Sequence, residues 1–405
     1  MQNILFTYIY PFHPERGGIG RVTDLLTREL LCRGYKVHYL IYDCVITIRH
    51  EYDYPAPLTY LPSCELLSEE NIAFYQHYLQ EHAIDVVINQ SGNFSDSALY
   101  LRTGNPAVKV VSVLHSTPWV AYKHLWSSIF PLRNDTLVEK FKRIARILLY
   151  PRIKRQYRDS RERQFRMLLP STDKVCMLSS QFYDELSEIC PGYEHKYYAI
   201  PNPNSYTDEQ ISNISLSDKK KQILFVGRIS GEKGVDHLIR IWKKLYSLSP
   251  DWKLVVVGDG PKSIVSRLHA MSSKMDNVEF VGFQSPLPFL KESKILCMTS
   301  NYEGWGMVLT EAMQCGTVPI AFQSFASVTD IITHNVNGIL VPPFDECLYA
   351  HELSFLMNDS AQCTRLALQA MHDVKRFSVS NVVDQWEALF DELKIRNESN
   401  ESKNV

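Results

Sequence analysis

No Cys-x-x-Cys pair occurs among the nine cysteines, at 32, 44, 64, 176, 190, 297, 315, 347 and 363, and their odd number leaves at least one unpaired. This excludes a disulfide framework and a zinc ribbon, and it fits reduced thiols in a cytoplasm. No uninterrupted apolar run approaches the ~20 residues that a membrane-spanning helix needs. The start, MQNILFTYIYPFHPERGG, lacks a basic leader and a small-residue cleavage site, so it reads as a first strand. Charge of one sign is not in excess: 43 Lys and Arg face 45 Asp and Glu, for a net −2, which gives no global reason to expect nucleic acid. No His, Asp and Cys cluster has metal-ligand spacing, so neither metal nor other cofactor is expected. The expectation is a soluble, cytoplasmic protein.

What is present is length and alternation. At 405 residues, two domains are the natural reading. Short apolar strands alternate with helical patterns. In the first half, strands are expected at Asn3–Tyr8, Lys36–Tyr42, Asp85–Asn89 and Lys109–His115, with helices at Gly20–Arg33 and Glu69–His82. The second half repeats the pattern at Lys221–Gly227, Lys253–Gly258, Val278–Gly282, Ile295–Thr299, Val318–Ala321 and Gly338–Val341. Asp236–Ser247 and Trp305–Cys315 are its clearest helices. Continuous apolar strands of this kind are covered on both faces, the signature of doubly wound α/β domains. The boundary falls within Pro201–Asp218, a stretch rich in Pro, Asn and Ser. The domains are therefore 1–203 and 204–378, followed by a strong helix over about 379–393 and a disordered polar tail at 397–405.

One segment departs from the even charge. Lys140–Arg166 holds eleven Lys and Arg against Asp159 and Glu162. Phe141, Ile144, Ala145 and Leu148 recur at helical spacing, and Pro151 should break or kink the helix. Such a segment can lie on an anionic membrane surface, or it can be a solvated face whose apolar stripe packs on the domain. The first alternative makes the protein peripheral on the inner face of the membrane.

Three motifs carry chemistry. Gly227 ends a buried strand, Arg228 follows at its carboxyl edge, and Lys233 stands in a glycine-flanked loop. Two cations there suit a diphosphate, Arg as a fork and Lys as a point charge, although a surface loop could carry the same residues. The run Asn301-Tyr-Glu-Gly-Trp-Gly-Met-Val-Leu-Thr-Glu311 follows another buried strand and opens a helix. Its glycines let backbone N–H groups approach an anion, and the helix aims its positive end there. Two glutamates flanking such a site make sense if the ligand also carries hydroxyls. Each alone could equally be an ordinary helix acid. Val257-Gly-Asp-Gly-Pro261 is a tight turn that structural loops share.

Together these motifs resemble the retaining glycosyltransferases of family 4, over nearly the whole chain. The resemblance implies the GT-B fold, two Rossmann-like domains facing across a cleft. It implies that Arg228 and Lys233 hold the donor diphosphate, that Glu303 contacts the transferred sugar, and that Glu311 takes the ribose hydroxyls. Gly227 ends the strand that carries this loop. The backbone of Gly304, Trp305, Gly306, Met307 and Val308 should meet the phosphates, and the main chain near Val281 and Phe283 the base. In the first domain, Gly17 and Gly18 match the glycine pair that lies against the donor phosphate, and His115 the histidine near the sugar. Ser116 stands where Asp or Gly is common, and Pro201-Asn202-Pro203 where many relatives have Asn-Gly. The final helix, with Trp386, resembles the one that returns to the N-terminal domain.

The implied reaction is metal-independent transfer, with retention, of a hexose-type sugar from a UDP- or GDP-sugar. The acceptor would be a saccharide or lipid-linked saccharide, in surface polysaccharide or lipopolysaccharide synthesis. Two other classes remain open: a nucleotide-sugar epimerase of the same fold, and a non-catalytic sugar-nucleotide-binding protein.

Overall fold

The computed structural model describes residues 2–15, 17–42, 52–119 and 144–401, with the backbone alone over 395–401. These residues form two units. The first takes in residues 2–119, 152–203 and 377 onward; the second takes in 204–376 together with 144–151.

Each unit is built on one all-parallel sheet. The first sheet holds β1 Asn3–Tyr8, β2 Lys36–Ile41, β3 Leu58–Tyr60, β4 Val86–Asn89, β5 Lys109–Leu114, β6 Lys174–Met177 and β7 Tyr197–Ala199. Their order across the sheet is β3-β2-β1-β4-β5-β6-β7. The second holds β8 Lys220–Val226, β9 Lys253–Val257, β10 Val278–Gly282, β11 Ser293–Met298, β12 Val318–Phe322 and β13 Ile339–Val341, in the order β10-β9-β8-β11-β12-β13. The central strands are buried through their middles: Ile4, Leu5 and Phe6 in β1, Ile223 and Leu224 in β8, Ile295 and Leu296 in β11. Each such side chain contributes about 1.5–3 kcal/mol through removal from water.

In both sheets the strand order reverses at one place, between β1 and β4 and between β8 and β11. At such a reversal the connections leave in opposite directions and open a crevice at the carboxyl ends of the two strands. Gly17, Arg228, Lys233 and Glu303 follow β1, β8 and β11, whereas His115 follows β5 and Val281 and Phe283 lie at the end of β10.

All six strands of the second sheet lie where the sequence pattern puts them, within a few residues. In the first sheet, β3, β6 and β7 have no counterpart among the expected strands. They are three or four residues long (Leu-Thr-Tyr, Lys-Val-Cys-Met, Tyr-Tyr-Ala), too short to show a period. The last helix, Val379–Glu401, runs past its expected end at about 393. No Gly or Pro interrupts that stretch. This helix is tied to the first unit. Arg33 donates to Asp384 and Glu387, both at 2.6 Å, and Lys174 to Glu392 at 2.6 Å.

The basic segment lies outside the described residues over 140–143. Beyond them, the chain is helical over 144–148, turns at Leu149 and resumes as the helix Tyr150–Leu168, so the expected break falls just before Pro151, which as second residue of the new helix loses nothing by its missing N–H. Ile144 and Leu148 are exposed and not packed as a stripe. The helix itself buries only Phe165 and Leu168. No helix among the described residues is long and apolar enough to cross a membrane.

Candidate functional site

The second unit's site grows from two loops at the β8–β11 crevice. After β8, the chain turns through Gly231–Lys233 and reaches Gly234 in the left-handed conformation (φ 59°). A Cβ on Gly234 would stand 2.1 Å from the Thr299 carbonyl oxygen, so only glycine lets the two loops meet. Hydrogen bonds then join them. The Thr299 hydroxyl donates to the Gly234 carbonyl at 2.9 Å, the Asn301 N–H to the Glu232 carbonyl at 2.7 Å, and the Asn301 side-chain amide to the Gly231 carbonyl at 2.6 Å.

This joining places the charged side chains. Lys233 Nζ donates to Glu303 Oε1 at 2.6 Å, and the Ser300 hydroxyl donates to the same oxygen at 2.8 Å. The Lys233 and Glu303 side chains are 24% and 12% exposed, so the pair is well shielded. Arg228 pairs with Glu232, and the Tyr302 hydroxyl reaches the other oxygen of that carboxylate at 3.4 Å. The Glu232 carboxylate raises the Arg228 pKa further above its ordinary value. Arg228, Lys233 and Glu303 are thus brought together.

Gly306 precedes the helix Met307–Gln314 in the left-handed region (φ 87°). Gly304 lies before it, with its carbonyl accepting from Ser327 at 2.8 Å. Met307 and Val308 open the helix, while the Trp305 side chain is buried in the unit, so only its backbone faces the turn. Glu311 is 4% exposed, which rules out an ordinary surface acid. It accepts from the Ser205 hydroxyl at 2.6 Å.

The Gly-Asp-Gly turn proves to be a packing device. A Cβ on Gly258 would stand 1.9 Å from the Gly227 carbonyl oxygen, and one on Gly260 2.0 Å from that of Ile229. These glycines let the loops after β8 and β9 touch backbone to backbone, and the Gly258 N–H continues the contact to the Gly282 carbonyl at 2.8 Å. At the end of β10, the Val281 carbonyl accepts from the Gln284 side chain at 3.2 Å, and the Phe283 ring is 78% exposed.

Gly17, Gly18 and His115 belong to the first unit. Gly17 (φ 147°) precedes the helix Gly18–Cys32, and no atom of the described residues lies within 4 Å of where its Cβ would stand. His115 follows β5. Its Nε2 lies 2.5 Å from Gln90 Oε1, and the Gln90 amide donates to the Thr23 hydroxyl at 3.1 Å. Val22, Leu26, Val113 and Leu178 line the small cavity beside the ring. Burial pushes the imidazole pKa down to about 4, so it is neutral at pH 7.

Glu232, Ser300, Ser205 and Gln90 are partners of the site residues that sequence reasoning does not single out. Glu232 lies in the same glycine-flanked loop as Lys233, whereas nothing in the pattern around Ser205 sets it apart from a linker. Among the described residues, no group of three or more His, Cys, Asp or Glu could hold a metal ion.

Residues 207–372 match the family described as glycosyl transferases group 1, and residues 16–203 match glycosyltransferase family 4. The chain belongs to the group 1, family 4 glycosyltransferases. The chain is 30% identical over 234 residues to an exopolysaccharide phosphotransferase of Streptomyces coelicolor, a match covering 56% of this chain and 24% of that protein. It is 29% identical over 197 residues to an α-1,4-N-acetyl-D-galactosaminyltransferase of Campylobacter jejuni, covering 48% of this chain and 54% of that one. The chain spans between 24% and 55% of the length of the first curated relatives it matches. A longer match, 22% identical, covers 93% of the chain and 94% of N-acetyl-α-D-glucosaminyl L-malate synthase of Bacillus anthracis. Among solved structures, Anabaena HepE in complex with UDP-glucose superposes with a TM-score of 0.71 at 16% identity, over 96% of this chain and all of that one. Sucrose-phosphate synthase of Thermosynechococcus elongatus gives 0.71 at 18% identity, over 98% and 100%. The fold is therefore that of the GT-B glycosyltransferases, two Rossmann-like units.

Proposed function

We propose that the chain transfers a hexose-type sugar from a UDP- or GDP-sugar to a saccharide or lipid-linked saccharide, with retention of anomeric configuration and without a metal. The observation that carries this reading is the convergence of Arg228, Lys233 and Glu303 at the β8–β11 crevice. Arg228 and Lys233 take the donor diphosphate, the helix from Met307 turns its positive end to it, Glu311 takes the ribose and Glu303 the sugar. The relatives support the acceptor class: the Campylobacter enzyme's name specifies an undecaprenol-diphosphate-linked acceptor, and the Streptomyces protein's an exopolysaccharide. HepE, crystallised with UDP-glucose, supports the donor class.

In the reaction the bond between the sugar's C1 and the diphosphate oxygen breaks, and the acceptor oxygen bonds C1 on the same face. The acceptor's proton passes to the leaving phosphate. The chain's own contribution is electrostatic, cations and a helix dipole set where negative charge grows. A neutral His115 would exchange hydrogen bonds with sugar hydroxyls without adding charge. The basic segment Lys140–Arg166 would hold the protein at an anionic membrane surface on the cytoplasmic side, near a lipid-linked acceptor.

Lys233→Ala and Glu303→Gln should each lower turnover more than about tenfold while leaving the melting temperature close to wild type. The assay follows release of nucleoside diphosphate with and without acceptor. Release without acceptor would favour a hydrolase, and conversion of the donor to its epimer with no net release would favour an epimerase. Near-normal turnover in either variant would remove the site assignment.

A further inference from the structure

Both cations of the phosphate loop are already engaged by acids of their own unit. Lys233 is held by Glu303, which the proposed reading places on the sugar. Arg228 is held by Glu232, to which that reading gives no part. Glu232 is tightly placed. It stands in the turn Gly231–Lys233, its carbonyl accepts the Asn301 N–H at 2.7 Å, and its carboxylate lies between Arg228 and the Tyr302 hydroxyl. Its side chain is 26% exposed, whereas that of Arg228 is 69% exposed.

We propose that Glu232 is a built-in counter-charge that competes with the nucleotide's diphosphate for Arg228 and thereby hastens product release. The proposal rests on the assignment of Arg228 and Lys233 to the diphosphate. A guanidinium offers one fork, and a carboxylate and a phosphate fill it alike. An exposed pair is held weakly, so a diphosphate can displace the carboxylate at small cost. The displaced carboxylate, anchored by its backbone, stays within a few ångströms of the incoming charge. Its repulsion acts unequally on donor and product. The donor's diphosphate is esterified at both ends, while the nucleoside diphosphate left after transfer has a free terminal phosphate and more negative charge. Glu232 therefore weakens the product more than the donor. With Lys233 and Arg228 unopposed, the site would hold its product longest, and release limits many enzymes.

The test is calorimetric titration of the full chain with UDP, GDP and ADP, followed by the nucleotide that binds. Glu232→Gln should tighten that nucleoside diphosphate about two- to fivefold, and its product-inhibition constant should fall by the same factor. The donor's KM should change less. The gain should vanish in the Arg228→Ala background, since the competition needs both partners. Unchanged or weaker binding in Glu232→Gln overturns the proposal and makes Glu232 a residue that orients Arg228. If Glu232→Gln lowers the melting temperature, Glu232→Ala takes its place in the same titration, with tighter binding again supporting the proposal and unchanged or weaker binding overturning it. The two levels separate cleanly. If Arg228→Ala and Lys233→Ala leave the dissociation constant unchanged, or no nucleotide binds, the diphosphate assignment itself fails. If they weaken binding and Glu232→Gln does not tighten it, only the counter-charge fails.

Discussion

The two sheets follow the same course, reversing strand order once each, yet their carboxyl edges carry opposite chemistry. At the β8–β11 crevice stand two acid–base pairs, Lys233–Glu303 and Arg228–Glu232. At the first unit's carboxyl edge stands an uncharged relay, His115 to Gln90 to Thr23, with Gln90 directly after β4. Glycines are used in two ways in both units. Gly234, Gly258 and Gly260 of the second unit and Gly20 and Gly92 of the first back onto main chain, at 1.9–2.1 Å and 2.4–2.5 Å, whereas Gly231 and Gly282 of the second and Gly17 of the first back onto nothing within 4 Å among the described residues. One topology thus supplies two kinds of site. The charged one suits a leaving group that gains negative charge, and the neutral one suits hydroxyls, for which a fixed charge would give no discrimination. Gly234, Gly258 and Gly260 are needed for close backbone packing, and no such contact accounts for Gly17.

The largest expected stability effect would break this comparison on the second unit's side. Gly258→Ala puts a Cβ 1.9 Å from the Gly227 oxygen, at a φ of 141° that L-residues rarely adopt. Neither atom belongs to a flexible side chain, so the cost should be about 3 kcal/mol. A fall in the urea midpoint of the size expected for about 3 kcal/mol checks it. Lys233→Ala, in the same crevice, should leave that midpoint nearly unmoved. If Gly258→Ala is tolerated, the turn is not the packing device described.

Protonation probes the neutral site. His115 has a folded pKa of about 4 against an unfolded value near 6.5. Above pH 6.5 the ring is neutral in both states and adds nothing. As pH falls below 6.5 the unfolded chain takes up the proton first, so stability drops until pH 4. The loss attributable to this one ring approaches about 3 kcal/mol. Unfolding of wild type and His115→Gln, compared at about pH 7 and about pH 4.5, isolates it, because the other titrating groups are common to both. The variant should lose less stability on acidification. Equal losses would mean that the ring is solvated, and the contrast between the two edges would blur.

Legibility in the sequence follows the length of the signal. Most of the second sheet is readable because its apolar runs, such as Leu-Val-Val-Val in β9, are long and because β8, β9 and β10 end in glycine; β13 is only three residues and is marked by Gly338 before it. β7, three residues with only Tyr197 buried, offers no period to read. Arg228, Lys233 and Glu303 can be named because they sit in glycine-marked loops directly after strands. That Lys233 and Glu303 touch cannot be read, since 70 residues separate them and the contact depends on Gly234 passing Thr299. Ser205 on Glu311, 106 residues apart, is the same kind of fact. Sequence pattern shows where a strand ends, and only the sheet order shows which strand ends adjoin. The last helix differs the other way: with no breaker after Leu393, it runs to Glu401 rather than ending near 393.

The smallest stability effect sharpens the comparison most. Gly17→Ala introduces a Cβ that meets no atom of the described residues, so overpacking contributes nothing. What remains is the backbone at φ 147° and ψ 167°, a region that is essentially glycine's own and costs a non-glycine residue about 1 kcal/mol or somewhat more. If Gly17 served only to turn the chain into the helix Gly18–Cys32, a loss of that size would pass almost unseen in turnover. If instead a phosphate must come against its bare backbone, a methyl group there excludes the ligand while the fold stands. The expected outcome is a melting temperature within a few degrees of wild type and a fall in kcat/KM for the donor of more than about tenfold. The two readouts separate the alternatives because the Cβ projects where only a ligand, and no described part of the unit itself, would feel it.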